Sequence, residues 1–167
     1  MGGPVEYILL LLSVVLVVST LTGSTNNYYN EPTGNKGFTD CSVTKKFFEL
    51  TNESLTPYPL TRGRRFHWKA QLHNRKTIQW GILHFTMTYN FKNYTNITFF
   101  DVKLNLCDSL DDLIHTRCPL QPGTYQMNYN AKVPNQFWPA QYKAYIATYD
   151  DKGEQTLCQT MELVIAS

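Results

Sequence analysis

Histidine is the side chain best suited to metal binding or acid–base chemistry near neutral pH, and four occur: His67, His73, His84 and His115. Their spacing matches neither the HExxH pattern of zinc enzymes nor a site with paired cysteines, so we expect no metal site. His67 and His73 fall on the polar positions of one alternating segment, which predicts a solvated face. The sequence also contains no GxSxG nucleophile turn and no glycine-rich phosphate loop.

Three acids, Asp108, Asp111 and Asp112, cluster in residues 108–115, the one stretch with helical spacing of its apolar side chains. Acidic side chains near the start of a helix are stabilised by the helix dipole. Helix capping therefore explains this cluster better than catalysis does. We expect that the protein is not an enzyme and that it binds no cofactor.

Four cysteines are present, at Cys41, Cys107, Cys118 and Cys158. An even number suits two disulfide bonds in an oxidising compartment, and four cysteines allow three pairings. If all four are bonded, no thiol is left to act as a nucleophile.

The first residues and the glycosylation motifs both indicate export. Residues 7–21 are an apolar run, shorter than the about 20 residues of a membrane span, and small residues follow it. We expect residues 1–24 to be a cleaved signal peptide, with an uncleaved signal anchor as the alternative, and residues 25–37 to be a flexible polar tail. Three N-x-[ST] sequons, at Asn52, Asn93 and Asn96, suit glycosylation. The protein is expected outside the cell or in the endosomal or lysosomal lumen.

The composition fits one globular domain. Of the 167 residues, 43% are hydrophobic and 17% are charged, which argues against collagen, coiled coil and disorder. The formal net charge of +2 is too small for a nucleic-acid footprint, so no nucleic-acid partner is expected. We expect a monomer.

From residue 38 onward the sequence has the two-residue period of half-buried strands. Apolar and polar residues alternate in residues 65–72, 100–106 and 125–133. In residues 78–89 the apolar positions change parity near Gly81, which indicates either a β-bulge there or a strand covered on both faces. Seven or eight such strands predict an all-β, two-sheet antiparallel sandwich.

A series of short motifs follows the cysteines in a fixed order. They are Phe38-Thr39-Asp40-Cys41, Pro57-Tyr58-Pro59 before Gly63, Leu106-Cys107, Cys118-Pro119-Leu120, Pro122-Gly123-Thr124-Tyr125, Val133-Pro134, Trp138-Pro139, and Asp150-Asp151-Lys152-Gly153 ahead of Cys158. Through them, residues 38–167 resemble the ML family, the MD-2-related lipid-recognition domains. The resemblance is nearest the branch of Niemann-Pick type C2 sterol carriers and phosphatidylglycerol/phosphatidylinositol transfer proteins. It implies an immunoglobulin-like β-sandwich with an internal apolar cavity, and the nested disulfides Cys41–Cys158 and Cys107–Cys118.

Three positions depart from the pattern of the sterol carriers. Tyr58 replaces the cysteine of a third disulfide, and Trp138 replaces a tyrosine while keeping an aromatic gate. Asn135 replaces a valine, which would place a polar group on an apolar wall. These departures weaken the case for sterol specificity and leave lipid binding as the expectation.

The resemblance implies a soluble carrier that holds a sterol or phospholipid between its sheets and moves it between membranes. The alternatives are a recognition module that presents a lipid to a partner protein, and an adhesion domain with a solid core. Two basic groups, Arg62 with Arg64 and Arg65, and Lys45 with Lys46, favour transient contact with a membrane surface. The residues expected to contact lipid are Phe66, Trp68, Phe85, Phe100, Val102, Tyr125, Met127, Pro134, Trp138, Pro139, Tyr142 and Ile146.

Overall fold

The computed structural model describes residues 37–43 and 47–167. The expected signal peptide, nearly all of the expected polar tail and the pair Lys45-Lys46 lie outside the described residues. The described part contains seven long strands, two short strands and one helix. In chain order they are β1 (Phe38–Asp40), β2 (Phe48–Thr56), β3 (Leu60–Thr61), β4 (Arg65–Asn74), β5 (Gly81–Phe91), β6 (Tyr94–Asn105), α1 (Leu106–Ile114), β7 (Gly123–Lys132), β8 (Ala140–Asp150) and β9 (Gln155–Ala166).

The strands form two sheets that pack against each other. The larger sheet has the strand order β1–β9–β8–β5–β6, and the two-residue β3 also pairs with β9. The smaller sheet has the order β2–β4–β7. Apart from β3, which runs parallel to β9, all neighbouring strands named here are antiparallel. The prediction of a two-sheet antiparallel β-sandwich is confirmed.

The middle strand of the smaller sheet, β4, shows how the alternating sequence produces a sandwich. Ala70 and Leu72 are buried, whereas Lys69 is exposed. Ala70 pairs with Met127 of β7, which is buried as well. One face of each strand therefore points at the other sheet and the other face points at solvent, as the alternation predicts.

The change of parity near Gly81 marks the start of a strand. β5 begins at Gly81 and keeps a continuous register with β8, so no bulge lies at this glycine in that ladder. A Cβ atom at Gly81 would overlap the carbonyl oxygen of Tyr149, which explains the glycine. Ile78 precedes the strand and pairs in a separate bridge with Leu120.

Register shifts occur elsewhere in the sheets, and two of them change which side chains point inward. In β6 the register moves from Met87–Phe100 to Thr88–Thr98, so Phe99 is an extra residue in that strand. In β2 the register shifts between Thr51 and Ser54, where Asn52 has a φ of 54°.

Helix α1 connects the two sheets, because β6 belongs to the larger sheet and β7 to the smaller one. The Asn105 side chain caps the helix by accepting hydrogen bonds from the backbone N–H groups of Cys107, at 2.9 Å, and Asp108, at 3.4 Å. The predicted helix at residues 108–115 is confirmed and begins two residues earlier. Leu106 and Leu110 are its buried anchors.

Two disulfide bonds link Cys41 with Cys158 and Cys107 with Cys118. The first joins the chain just after β1 to β9, and its partners are 117 positions apart in sequence. The second spans 11 residues and closes the segment that contains α1. The nested pairing implied by the resemblance is confirmed.

The interior consists of two hydrophobic clusters, one toward each end of the sandwich. We call the end whose cluster includes residues of α1 the capped end. We call the end whose cluster surrounds Tyr142 the aromatic end. The buried members of the capped end are Phe48, Ala70, Leu72, Ile78, Leu106, Leu110, Leu120, Met127 and Leu157. Those of the aromatic end are Leu60, Met87, Val133, Phe137, Tyr142, Ala144, Leu163 and Ile165.

Candidate functional site

The residues expected to contact lipid are spread along the whole interior. At the aromatic end, Tyr142 is a buried member of the cluster, and Phe66, Phe85 and Phe100 pack against it. At the capped end, Met127 is a buried member, and the residues that pack against the cluster include Trp68, Tyr125 and Ile146. Pro134, Trp138 and Pro139 lie in the connection between β7 and β8.

A line of four inward residues crosses the larger sheet at mid-height. Gln159 of β9 pairs with Ile146 of β8, Ile146 pairs with Phe85 of β5, and Phe85 pairs with Val102 of β6. We call this line the Phe85 row. Three of its four members belong to the set expected to contact lipid.

The inner face of the larger sheet remains accessible at this row. Phe85 packs against the aromatic-end cluster and so points into the sandwich, and its strand is flanked on both sides by β8 and β6. In a filled core such a side chain is buried, but Phe85 is only half-buried, and Leu83 on the same face is half-buried too. The facing side chains Phe66 and Trp68 of β4 are likewise half-buried. Large apolar side chains on the inner faces of both sheets therefore keep part of their surface accessible.

Aromatic rings pack on one another at the aromatic end. The ring centroid of Phe99 lies 4.6 Å from that of Phe100 and 5.0 Å from that of Phe137. Phe137 in turn lies 5.4 Å from Tyr142, whose hydroxyl donates a 3.0 Å hydrogen bond to the carbonyl oxygen of Trp138. Burial raises the pKa of Tyr142 to about 12, so this hydroxyl stays protonated and keeps its donor.

Trp138 and Pro139 lie at the rim of this end. Trp138 is 56% exposed and its ring contacts Tyr89 and Phe91, with centroids 6.1 and 6.2 Å apart. Pro139 is exposed as well. The neighbour Phe137 is the ring that enters the interior, at 6% exposure.

The expectation that Asn135 places a polar group on an apolar wall of the interior is wrong. It is exposed, and its side-chain oxygen occupies the space where a Cβ on Gly63 would lie. Gly63 has a φ of 68° and its N–H donates to the carbonyl oxygen of Val133 at 2.8 Å. Asn135 therefore packs on the outside of the turn between β3 and β4.

That turn brings basic side chains to the aromatic end. Arg62, Arg64 and Arg65 are exposed, and the Arg64 carbonyl accepts a hydrogen bond from the N–H of Val133 at 2.9 Å. The Arg62 charge is close enough to Tyr142 to favour its ionised form slightly, although burial dominates the pKa of that hydroxyl. Basic residues and exposed aromatic rings thus share one end of the molecule.

Polar groups also enter the interior, at the edge formed by β2 and β9. The buried side chain of Gln159 donates a hydrogen bond to Oε1 of Glu53, which is itself 9% exposed. Burial raises the pKa of the Glu53 carboxyl above its ordinary value, and the hydrogen bond from Gln159 offsets part of this rise. Sequence alternation did not indicate Glu53, because the bulge at Asn52 turns it inward.

Two of the four histidines hydrogen-bond on the outer faces of the sheets, whereas Nε2 of His67 is buried with no hydrogen-bond partner among the described residues. His73 bonds to Thr51 at 3.0 Å and to Thr124 at 2.9 Å, which links the three strands of the smaller sheet. His84 lies 2.7 Å from Asp101 on the outer face of the larger sheet. Within residues 37–43 and 47–167, no group of three or more potential metal ligands comes together.

Two solved structures share this β-sandwich architecture. A Niemann-Pick type C2 protein from Japanese carpenter ant superposes with a TM-score of 0.59 at 11% identity, over 77% of this chain and 98% of that one. Chicken MD-1, crystallised with lipid IVa, superposes with a TM-score of 0.52 at 12% identity, over 76% and 87% of the two chains. At these identities the likeness shows the fold.

The sequence comparison identifies the family. The ML domain model matches residues 36–165, so the chain belongs to the ML domain family. A phosphatidylglycerol/phosphatidylinositol transfer protein from Kluyveromyces lactis is 24% identical over 135 residues, which cover 78% of this chain and 75% of that protein. The family assignment confirms the resemblance and the prediction that the protein is not an enzyme. Among the described residues, no helix has the length and hydropathy needed to cross a bilayer.

Proposed function

We propose that this protein holds a sterol or phospholipid between its two sheets and carries it between membranes. The observation that supports this most is the accessible inner face at Phe85, in the middle of the larger sheet. A lipid chain that enters there replaces water on apolar side chains of both sheets. The relative that is named as a phospholipid transfer protein supports the same function.

The free energy of such binding comes from the hydrophobic effect. Each CH₂ group removed from water contributes about 0.8 kcal/mol, so a chain of about sixteen carbons contributes on the order of 12 kcal/mol before the costs of association. Carrying the lipid needs no bond-making group. An accessible apolar interior with a polar rim is sufficient.

The aromatic end is the surface that we propose for membrane contact. Trp138, Phe91 and Tyr94 are large exposed rings at 56%, 46% and 70% exposure, and aromatic rings favour the membrane–water interface. Arg62 and Arg64, on the neighbouring turn, would add attraction to anionic lipid of about 1 kcal/mol each. This face presents the interior to the membrane from which a lipid is taken.

The proposed location is the extracellular space or the endosomal or lysosomal lumen, where an occupied sequon carries a glycan. All three asparagines are exposed. Asn93 and Asn96 lie in the β5–β6 hairpin beside Tyr94, where a glycan would obstruct membrane contact. Asn52 lies on the bulge of β2, so a glycan at Asn52 is compatible with that contact.

Lipid uptake by two variants of one strand tests this function. Val102 faces the interior and its neighbour Lys103 is exposed. We expect Val102→Trp to fill the interior and abolish uptake of a fluorescent phospholipid or sterol from vesicles, whereas Lys103→Trp leaves uptake unchanged. The measurement is transfer of the fluorescent lipid from donor to acceptor vesicles that contain phosphatidylglycerol.

The outcomes separate the alternatives. No lipid uptake by the wild-type protein would overturn lipid binding and favour a solid-core adhesion domain. Uptake without transfer, together with a stable complex with a receptor ectodomain, would favour a recognition module that presents the lipid to a partner.

A further inference from the structure

Two buried acids lie within the described part of the sandwich, and their surroundings differ. Asp150 accepts a hydrogen bond from Lys76 at 2.7 Å and from the backbone N–H groups of Lys152 and Glu154 at 2.9 Å each. Both oxygens of its carboxylate therefore accept hydrogen bonds within the fold. Glu53 accepts one hydrogen bond, from Gln159, and its second oxygen is buried with no partner among the described residues.

The bulge in β2 is what places this carboxyl inside. Before the bulge, Phe48 and Leu50 belong to or pack against the capped-end cluster, and after it Leu55 packs against the aromatic-end cluster. The extra residue at Asn52 shifts the alternation, so that Glu53 takes an inward position. A buried polar atom with no partner lowers the stability of the fold by about 1–3 kcal/mol, so an apolar residue at position 53 would make the core more stable.

The carboxyl stands beside the accessible part of the interior. Its partner Gln159 is the first member of the Phe85 row, and Phe85 lies two strands away in the same sheet. Two strand spacings amount to about 10 Å, the reach of a single lipid ring system or half an acyl chain. A ligand in contact with Phe85 can therefore extend to Glu53.

A second unpartnered polar group lies on β4, the strand beside Glu53 in the smaller sheet. Nε1 of Trp68 is buried and has no hydrogen-bond partner among the described residues. Trp68 pairs with Leu55 of β2, two residues beyond Glu53 on the same side of that strand. The interior thus offers an acceptor from Glu53 and a donor from Trp68 between two apolar clusters.

We propose that Glu53 anchors a hydroxyl group on the part of the lipid that enters the sandwich. This inference rests on the proposed lipid-carrying function. A hydroxyl donates to the free oxygen of Glu53 and can accept from Trp68, and it carries no charge that would have to be buried. A phosphate or a fatty-acid carboxylate would meet a buried acid at this position, so such groups remain at the basic rim. Glu53 thereby favours lipids with an internal or inward-facing alcohol over those with plain hydrocarbon.

Matched pairs of ligands test the anchor. The probes are cholesterol and its methyl ether, and 1-hexadecanol and its methyl ether, each used to displace a fluorescent lipid from the delipidated full-length protein. The ether keeps the shape and removes the donor. We expect the wild-type protein to bind each alcohol about five- to tenfold more tightly than its ether, the size of one net hydrogen bond.

Variants assign the preference to one side chain. Glu53→Leu is expected to bind alcohol and ether equally, because the acceptor is gone, whereas Glu53→Gln retains an oxygen and part of the preference. Glu162→Leu, on the exposed face of β9, is the control and should keep the full preference. If Glu53→Leu fails to fold, the ratios of alcohol affinity to ether affinity in the wild-type protein and in Glu53→Gln still test the anchor.

Equal binding of alcohol and ether by the wild-type protein would overturn the anchor and leave the lipid carrier standing. An undiminished preference in Glu53→Leu would overturn it too. If the wild-type protein binds none of the four probes and no phospholipid, the carrier function itself fails.

Discussion

The two ends of this sandwich are built differently from similar apolar residues. At the capped end, Phe48, Ile78 and Leu120 are at most 1% exposed, and α1 with its disulfide closes the edge between the sheets. At the aromatic end, the buried rings of Tyr142 and Phe137 are in contact with the half-buried ring of Phe99, and Trp138 stands exposed at the rim. This difference supports the proposal that the capped end stabilises the fold and that the aromatic end admits the lipid.

The largest expected effect is the removal of a ring at the capped end. Phe48→Ala should lower the free energy of unfolding by about 3–5 kcal/mol, because the ring is fully buried and leaves a cavity. Phe66→Ala, at the aromatic end, should cost about 1–2 kcal/mol, since its ring is already half accessible. Urea unfolding measures both. Equal losses would contradict the division between the ends.

The next largest loss of stability is expected from replacing Asp150, which also lies at the capped end. Burial alone would raise its pKa, but the hydrogen bonds from Lys76 and two backbone N–H groups outweigh burial and hold the pKa below its ordinary value. Asp150→Asn should cost about 2–3 kcal/mol at pH 7 by removing the charged acceptor. Asp151→Asn, at an exposed neighbour, should change stability by less than about 0.5 kcal/mol.

The pH dependence of this effect follows from the sign of the shift. A carboxyl with a lowered pKa stabilises the fold at neutral pH, and its contribution disappears as the pH falls through the folded pKa, which lies below 3.8. The difference between wild type and Asp150→Asn should therefore shrink in strong acid. A difference that stays constant down to pH 2 would show that Asp150 is not the titrating group.

Replacement of Glu53 should change the free energy of unfolding less than replacement of Asp150 does, and in the opposite direction. The raised pKa of Glu53 means that the folded protein binds a proton more tightly than the unfolded chain does, so its contribution is largest below 4.5 and is lost as the pH rises. Glu53→Gln should therefore stabilise the ligand-free protein at pH 7 by about 1 kcal/mol and flatten its stability between pH 4.5 and 7. Thermal melts across this range, with Glu162→Gln as control, measure it. Destabilisation at pH 7 would mean that the carboxylate is satisfied in the fold.

Alternation and motif order in the sequence were sufficient to predict the sandwich, the helix and, through the resemblance, the disulfides. They were insufficient at the bulges. The extra residue Phe99 turns a ring inward that strict alternation assigns to solvent, and the bulge at Asn52 does the same for Glu53. A bulge depends on pairing with a neighbouring strand, so a two-residue period within one strand does not reveal it.

The connection from β7 to β8 was beyond prediction for a different reason. Its prolines indicate a loop but not which side chain it buries. Contact with Gly63 holds Asn135 on the outside, and the loop then directs Phe137 into the aromatic cluster. The contact of Asn135 with Gly63 joins segments about seventy residues apart in sequence, and that of Phe137 with Phe99 joins segments about forty apart, so only the folded chain brings them together.

Quenching of the three tryptophans by a lipid with a brominated acyl chain tests the central claim most directly. Trp68 packs in the interior, whereas Trp80 is 46% exposed on the surface just before β5. In single-tryptophan variants, with the other two replaced by Phe, one equivalent of bound lipid should quench Trp68 strongly and leave Trp80 unchanged. Bound lipid that leaves Trp68 fluorescence unaltered would show that the lipid does not lie between the sheets.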